Sequence, residues 1–115
     1  MAGPLAKRNV RGVWQQRWVV LEGTQVRYYE HASSARPKGT IIAHAANSVV
    51  TSSSKDRDHC LDLHCRGRTY HFSAPSARER GEWMAALESW IRNDSISKQR
   101  RSVAPALGRA SSIAP

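Results

Sequence analysis

The chain has 115 residues, of which 40% are hydrophobic, and it carries 18 Lys and Arg against nine acidic residues. This length suits one domain with a single core, and the apolar content excludes a fully disordered chain. No run reaches the roughly 18 consecutive apolar residues of a membrane-spanning helix, and the first residues lack the apolar stretch of a signal peptide. We therefore expect a cytoplasmic protein.

The positive charge is unevenly distributed along the chain. Residues 1–40 hold seven Lys or Arg and only two acidic residues, whereas residues 41–94 hold seven of each. Residues 95–115 add four basic residues and no acidic residue. This distribution predicts a basic face that attracts phosphate groups, on lipids or on nucleic acids.

Seven short segments have the composition and alternation of β-strands. The expected strands cover residues 3–8, 14–21, 26–30, 40–42, 48–50, 60–65 and 69–73. Turn residues separate several of them: Gly23 follows the second strand, Pro37 and Gly39 lie in a longer loop, and Arg66-Gly67-Arg68 joins the last two strands.

The periodicity changes after residue 76. Ser76 and Glu79 form a capping-box pattern, which marks the start of a helix. Apolar residues follow at spacings of three and four, namely Trp83, Met84, Leu87, Trp90 and Ile91. We expect an amphipathic helix of about four turns that ends near Asn93-Asp94. Residues 95–115 are rich in Ser, Ala, Pro and basic residues, which is typical of a disordered tail.

Together these elements predict a mainly β fold with one helix. About seven antiparallel strands would form a barrel or open sandwich, and the C-terminal helix would close its open end. The domain would span residues 1–94, and a disordered basic tail would span residues 95–115. In this arrangement Trp83 and Trp90 lie in the core.

The sequence offers little to support catalysis or metal binding. Cys60 and Cys65 lie in one strand at an odd separation, so they point to opposite faces, which argues against a zinc site formed with His59 and His64. The sequence contains no nucleophile motif, paired carboxylates or Gly-rich phosphate loop. We therefore expect neither an enzyme nor a cofactor.

Several segments resemble pleckstrin homology domains. The first three strands of that family are similar to Gly3-x-Leu5-x-Lys7-Arg8, to Trp14-Gln15-Gln16-Arg17-Trp18-Val19-Val20-Leu21 and to Tyr28-Tyr29, and the last strand and helix are similar to residues 70–83. The likeness covers about residues 3–93. The resemblance implies the family's barrel or sandwich fold and a non-enzymatic module that binds phosphoinositide head groups at a cytoplasmic membrane surface.

The resemblance also implies a set of binding residues. The family's lipid-binding pattern is a strand-1 lysine followed by a strand-2 basic-x-Arg. Lys7 and Arg17 match its first and last members, whereas Gln15 replaces the usual middle cation. Tyr28 and Lys38 match positions that often contact phosphates. The run Trp-Gln-x-Arg-Trp resembles the oxysterol-binding and ceramide-transfer group, which implies a preference for phosphatidylinositol 4-phosphate.

Strand geometry independently brings these residues together. Lys7 and Arg17 share their faces with core residues, and both lie at the loop end of the first hairpin. The third strand returns to that end with Tyr28, and the loop that follows carries Lys38. These groups would therefore converge at one open end of the fold.

The loop between the first two strands holds further candidates. Arg8 or Arg11 would replace the missing cation if either side chain turned into the site. Val10 and Val13 at the loop tip either dip into the membrane or belong to an ordinary loop.

Two other functions fit parts of the sequence. Gln15 favours a protein-binding adaptor on the same fold, with weak or no lipid binding. The charge suggests a nucleic-acid binder, but the aromatic residues lie at core positions rather than on a stacking platform. We expect a monomeric peripheral membrane module whose partner is a phosphoinositide-containing membrane, with proteins as a second class of partner, while a nucleic-acid partner is disfavoured.

Overall fold

A computed structural model describes the backbone of residues 1–103 and the side chains of residues 1–95. The described chain forms seven strands, a short 3-10 helix at Ala43–Ala45 and one long α-helix. The strands are β1 (Ala2–Arg8), β2 (Trp14–Glu22), β3 (Gln25–Tyr29), β4 (Gly39–Ile42), β5 (Ala46–Ser52), β6 (Cys60–Cys65) and β7 (Arg68–Ser73), and the helix is α1 (Ala77–Val103).

All seven strands belong to one antiparallel sheet with the order β4-β3-β2-β1-β7-β6-β5. The central strand, β1, pairs with β2 on one side and with β7 on the other. Each other pair in the sheet is also antiparallel. The expected mainly β architecture with a C-terminal helix is therefore confirmed.

One hydrophobic core joins the sheet to the helix. Its most deeply buried side chains are Leu5, Val19, Val26, Leu61, Leu63 and Phe72, which come from five different strands. On the helix, Trp83, Leu87 and Trp90 are buried against the same core. The helical spacing of three and four therefore produces the packing stripe that the sequence predicted.

The helix begins as predicted and ends later. The Ser76 hydroxyl accepts a hydrogen bond of 3.1 Å from the backbone N–H of Glu79 and donates one of 3.0 Å to Oε1 of Glu79, which confirms that this pair of residues caps the start of the helix. The expected end near Asn93-Asp94 is wrong, because α1 continues to Val103. Residues 95–103 contain no Gly or Pro to stop the helix, and their Lys, Gln and Arg residues have high helix propensity.

The helical extension also limits the predicted tail. Residues 95–103 are helical, so the disorder expected from residue 95 is corrected there, and residues 104–115 lie outside the described residues. The boundary between domain and tail stays a prediction. Within the described chain, no helix combines the length and apolar character needed to cross a membrane.

Candidate anion-binding site

The ends of four strands meet at one end of the sheet and position the candidate site. Lys7 stands opposite Gln15 on β2 and opposite Phe72 on β7. Directly opposed residues share a face, and so do residues two apart, so Arg17 lies on this face as well. Tyr28 reaches the same end through β3. The surface formed by Lys7, Arg17 and Tyr28 is hereafter the Lys7 site.

The ammonium group of Lys7 lies at the centre of this site. Lys7 is only 8% exposed, and its Nζ lies 4.6 Å from the ring centroid of Tyr28 and 5.7 Å from that of Tyr70. No carboxylate pairs with this ammonium among the residues whose side chains the structure describes. Burial, followed by repulsion from Arg68 and Arg17, lowers the pKa of Lys7. Its positive charge is therefore stabilised mainly by aromatic rings.

The guanidinium of Arg17 is held against its own strand. Its Nη2 donates a hydrogen bond of 3.1 Å to Oε1 of Gln15, and its Nη1 donates one of 2.9 Å to the carbonyl oxygen of Gln16. Because a guanidinium has five N–H donors, donors remain for an oxyanion. Gln15 therefore brings no charge to the site, but it positions Arg17 next to Lys7.

A glycine on β4 makes room for Tyr28. Tyr28 stands opposite Gly39, and a Cβ at position 39 would collide with the Tyr28 hydroxyl. Just before β4, the backbone N–H of Lys38 donates a hydrogen bond of 2.7 Å to the carbonyl oxygen of Tyr28. This bond holds the backbone of Lys38 beside Tyr28, and the Lys38 side chain is exposed.

Strand β7 contributes two residues that sequence reasoning missed. Cζ of Arg68 lies 4.3 Å from the ring centroid of Tyr70, and Tyr70 also faces Lys7. Of the charges that lower the pKa of Lys7, Arg68 is the strongest, ahead of Arg17. In the sequence, the one feature that pointed to Arg68 and Tyr70 is their spacing of two from each other and from Phe72, which places all three on the same face of β7. Using it required knowing that β7 pairs with β1.

Arg8 is the last residue of β1, and Arg11 lies in the loop that follows it. Arg8 follows Lys7 on β1, so it projects to the opposite face of the sheet. Together with Arg11, Arg68 and His71 it lines a cavity of about 620 Å³ between the β1–β2 loop and the β6–β7 hairpin. Because Arg8 projects to the face opposite Lys7, its position does not favour a role as the cation missing at position 15. The same role for Arg11 stays a prediction.

The opposite face of the sheet also differs from the Lys7 site in charge. There Asp62 accepts a hydrogen bond of 3.0 Å from Ser52, and its Oδ1 lies 2.8 Å from Nδ1 of His71. These residues line a second cavity of about 220 Å³ with Arg8 and Trp14. On that face, the Asp62 carboxylate is the partner of Ser52 and His71. The cations of the Lys7 site have no carboxylate partner in the described structure.

Comparison with known proteins agrees with this architecture. The family model of the PH domain matches residues 1–92, which include all seven strands and the part of α1 that packs on the core. The chain therefore belongs to the PH domain family. Members of this family are generally non-catalytic modules.

Individual relatives include oxysterol-binding protein-related proteins. Human oxysterol-binding protein-related protein 9 is 31% identical over 103 residues, which are 86% of this chain. The PH domain of human oxysterol binding protein-related protein 11 superimposes with a TM-score of 0.69 at 25% identity, covering 81% of this chain and 80% of that one. The resemblance of the strand-2 motif to this group is thereby confirmed.

A solved complex provides a further structural neighbour. The C-terminal PH domain of pleckstrin in complex with D-myo-Ins(1,2,3,4,5)P5 has a TM-score of 0.67 at 22% identity, covering 77% of this chain and 94% of that one. This likeness shows the shared fold. The chain spans between 6% and 17% of the length of the curated relatives compared with it, and 14% of the length of protein 9.

Proposed function

We propose that this domain binds the phosphorylated inositol head group of membrane phosphoinositides in the Lys7 site, with Lys38 at the rim. The observation that carries the proposal is the buried ammonium of Lys7, which has aromatic neighbours and two arginines near it but no carboxylate in the described structure. Such an arrangement is unfavourable when empty and becomes favourable when an anion enters.

The chemistry of the three residues suits a phosphate monoester. Lys7 would act as a compact charge, and Arg17 would offer parallel N–H donors to two phosphate oxygens. The hydroxyl of Tyr28 would donate a further hydrogen bond. Because Lys7 is largely removed from water, its attraction to the phosphate is screened less than that of an exposed lysine.

The relatives support the inositol phosphate class of ligand. A PH domain of the same fold was solved with an inositol pentakisphosphate, and two relatives are named as related to oxysterol-binding protein. We propose a non-enzymatic role for this chain as well, namely recruitment to a cytoplasmic membrane surface as a peripheral protein.

The preferred head group follows from the charge at position 15. Gln15 hydrogen-bonds Arg17 but brings no positive charge, so a head group with several adjacent phosphates is incompletely neutralised. We propose modest affinity and a preference for a monophosphate, with phosphatidylinositol 4-phosphate first, as the Trp-Gln-x-Arg-Trp motif implies.

Vesicle flotation tests the proposed function. Vesicles of a neutral lipid would be doped either with phosphatidylinositol 4-phosphate or with enough phosphatidylserine to give the same surface charge. We expect the chain to float with the phosphoinositide vesicles and Arg17→Ala to remain in solution, because Arg17 contacts the phosphate. Equal flotation with both vesicles would indicate diffuse electrostatics without a head-group site.

The same experiment separates the alternative function. A protein-binding adaptor with the same fold would float with neither vesicle, and Gln15 is the residue that favours this alternative. A folded chain that binds neither these vesicles nor vesicles that carry bis- and trisphosphorylated phosphoinositides would therefore contradict head-group binding and leave protein binding as the better interpretation.

A further inference from the structure

Strand β2 places two tryptophans on the sheet face that points away from the core. Val19 is buried in the core, so its neighbour Trp18 projects to the opposite face, and Trp14, four residues away, lies on that face as well. Both side chains are partly exposed, and neither belongs to the core cluster or to the side chains packed against it. The core position expected of the aromatic residues is therefore wrong for this pair.

Two further rings flank Trp18 on this face. Pro4 on β1 and Tyr29 on β3 stand directly opposite Trp18, one on either side. Directly opposed residues share a face, and neighbouring strands lie about 4.8 Å apart, so the three rings form one row across the sheet. Tyr29 is also partly exposed and outside the core cluster. The surface formed by Pro4, Trp14, Trp18 and Tyr29 is hereafter the aromatic face.

Two arginines give the aromatic face a positive charge. Arg8 stands opposite Trp14, and Cζ of Arg57 lies 6.0 Å from the centroid of the Trp14 ring. Neither arginine has a carboxylate partner among the residues whose side chains the structure describes. Asp62 lines the 220 Å³ cavity together with Arg8 and Trp14, but its Oδ1 lies 2.8 Å from Nδ1 of His71. Both guanidinium groups are therefore available to an anionic ligand.

The composition of the surrounding strands favours the same kind of ligand. Within β1, β2, β3 and β4 the one acidic residue is Glu22, which pairs with Arg27. A polyanion laid along β2 would therefore meet no unpaired carboxylate of these strands, and the net charge of +9 favours its approach.

We infer that the aromatic face binds single-stranded nucleic acid, with bases stacked on its rings and phosphates at Arg8 and Arg57. Proteins that bind single strands combine a basic surface that follows the phosphates with aromatic rings on which bases stack. Trp14 and Trp18 lie about 13 Å apart along β2, so a strand that runs along β2 contacts both rings with further bases between them.

The combination of rings and cations favours a nucleic acid over other anions. A phospholipid head group or a polyphosphate offers negative charge without a planar base, so it would leave the row of rings without a partner. A single strand carries a charge and a planar base on every nucleotide, whereas a duplex keeps its bases inside the stack. This inference does not rest on the proposed function, because the Lys7 site lies on the other face of the sheet.

The indole NMR signals of the four tryptophans test the contact directly. Trp83 and Trp90 are buried on α1 and serve as internal controls. Adding an oligouridine of about twelve nucleotides to the isotope-labelled chain should shift the indole N–H signals of Trp14 and Trp18 and leave those of the buried pair unchanged. Unshifted signals of Trp14 and Trp18 at a saturating concentration would overturn the inference.

Two neighbouring tyrosines provide a matched pair of variants. Tyr29 lies on the aromatic face, whereas Tyr28 belongs to the Lys7 site on the other face. Fluorescence anisotropy with the same oligouridine should show binding about tenfold weaker for Tyr29→Leu, the effect of one lost stacking contact, and changed less than about twofold for Tyr28→Leu. Equal losses from the two variants would contradict a stacking role for this face.

Two adjacent glutamines test the charge by a gain of affinity, which does not depend on removing a packed side chain. Gln16 alternates onto the aromatic face between Trp14 and Trp18, whereas Gln15 stands opposite Lys7. Gln16→Lys should tighten oligouridine binding about fivefold or more and steepen its logarithmic salt dependence by about 0.7. Gln15→Lys adds the same net charge and should change the affinity less than about twofold. An equal gain from both would mean that net charge alone drives binding.

Competition experiments separate nucleic acid from other anions. Inorganic polyphosphate of equal charge, an RNA duplex and vesicles that contain phosphatidylserine should each displace oligouridine at least about tenfold less well than unlabelled oligouridine does. Equal competition by polyphosphate or duplex would indicate charge alone, and equal competition by the vesicles would assign this face to a membrane surface. Each of these results, or a parent chain that does not bind oligouridine at low salt, overturns the inference and leaves the proposed function standing.

Discussion

Oε1 of Gln15 accepts a hydrogen bond of 3.1 Å from Nη2 of Arg17. Gln15, which replaces a basic residue of the family's lipid-binding pattern, therefore holds Arg17, the last residue of that pattern. Gln15 also stands opposite Lys7, so a cation at position 15 would lie directly beside a buried ammonium. In this chain, position 15 therefore contributes a hydrogen bond to Arg17 rather than a positive charge.

Gln15→Lys tests how the missing positive charge at position 15 affects selectivity among the head groups. We expect the substitution to raise affinity for inositol bis- and trisphosphates more than for monophosphates, since an added charge-assisted contact is worth roughly 1.5–3 kcal/mol. The unliganded variant should melt at a lower temperature, because it loses the bond to Arg17 and places a like charge beside Lys7.

Gln16→Lys is the matched control for this change. Gln16 is exposed and alternates onto the opposite face of β2, so its substitution adds the same charge outside the Lys7 site. Calorimetry across the head groups should show no change in selectivity. Tight trisphosphate binding by the parent chain, at a level that monophosphates do not approach, would contradict the role given to Gln15.

Arg17→Ala should abolish head-group binding with little loss of stability. Within the described part of the chain, the Arg17 side chain donates hydrogen bonds to Gln15 and Gln16, and its removal relieves repulsion with Lys7. Flotation and thermal melting measure the two effects. Arg78→Gln, which breaks an exposed pair with Glu82 on α1, should change flotation far less. Equal losses from the two variants would mean that net charge alone drives binding.

The lowered pKa of Lys7 predicts a pH dependence of stability. Below this pKa, Lys7 is charged in both the folded and unfolded chains, and its burial destabilises the fold in full. As pH rises from the lowered folded pKa towards the ordinary value of 10.5, the unfolded chain binds more protons, so the Lys7 contribution to stability rises. Binding of a phosphate should weaken over the same window.

Lys7→Met isolates that contribution from other groups. Burial raises the pKa of Cys60, Cys65 and Tyr70, so their titration lowers stability with rising pH and partly masks the effect of Lys7. The difference in unfolding free energy between Lys7→Met and the parent cancels those groups. We expect this difference to shrink as pH rises through the window. A difference that is independent of pH would show that Lys7 titrates normally.

The space beside Tyr28 gives a steric prediction. Gly39→Ala should displace the Tyr28 ring, because the new Cβ would collide with the Tyr28 hydroxyl. We expect a loss of about 1–3 kcal/mol in unfolding free energy together with weaker head-group binding. Gly81→Ala on α1 meets no atom within 4 Å and should instead stabilise the helix by about 1 kcal/mol. Denaturant titration compares the two variants.

The strands were predictable because alternation and turn residues act locally. The capping box at Ser76 was predictable for the same reason. The position of Arg68 near Lys7 was not predictable, because it depends on the pairing of β7 with β1. These two strands are separated by 59 residues of the chain. The length of α1 was also mispredicted: residues 95–103 have a composition common in disordered tails, yet nothing in them stops a helix.

The C-terminal basic residues should add non-specific attraction to acidic membranes. A chain truncated after residue 94 lacks four basic residues, whereas one truncated after residue 103 lacks only Arg109. We expect the shorter chain to bind acidic vesicles more weakly at low salt, with little difference at physiological salt, because exposed charges are screened there. Truncation after residue 103 should have a much smaller effect.

Head-group preference should be the same in both truncated chains, since the Lys7 site lies at the loop end of β1, β2 and β3. Flotation at two salt concentrations, repeated with phosphatidylserine and with phosphatidylinositol 4-phosphate, measures both quantities. Neither truncation should lower the melting temperature by more than a few degrees, because the core residues of α1 end near Trp90 and Ile91. A large drop for the shorter chain would show that residues beyond 94 stabilise the fold, and a changed preference would show that they reach the site.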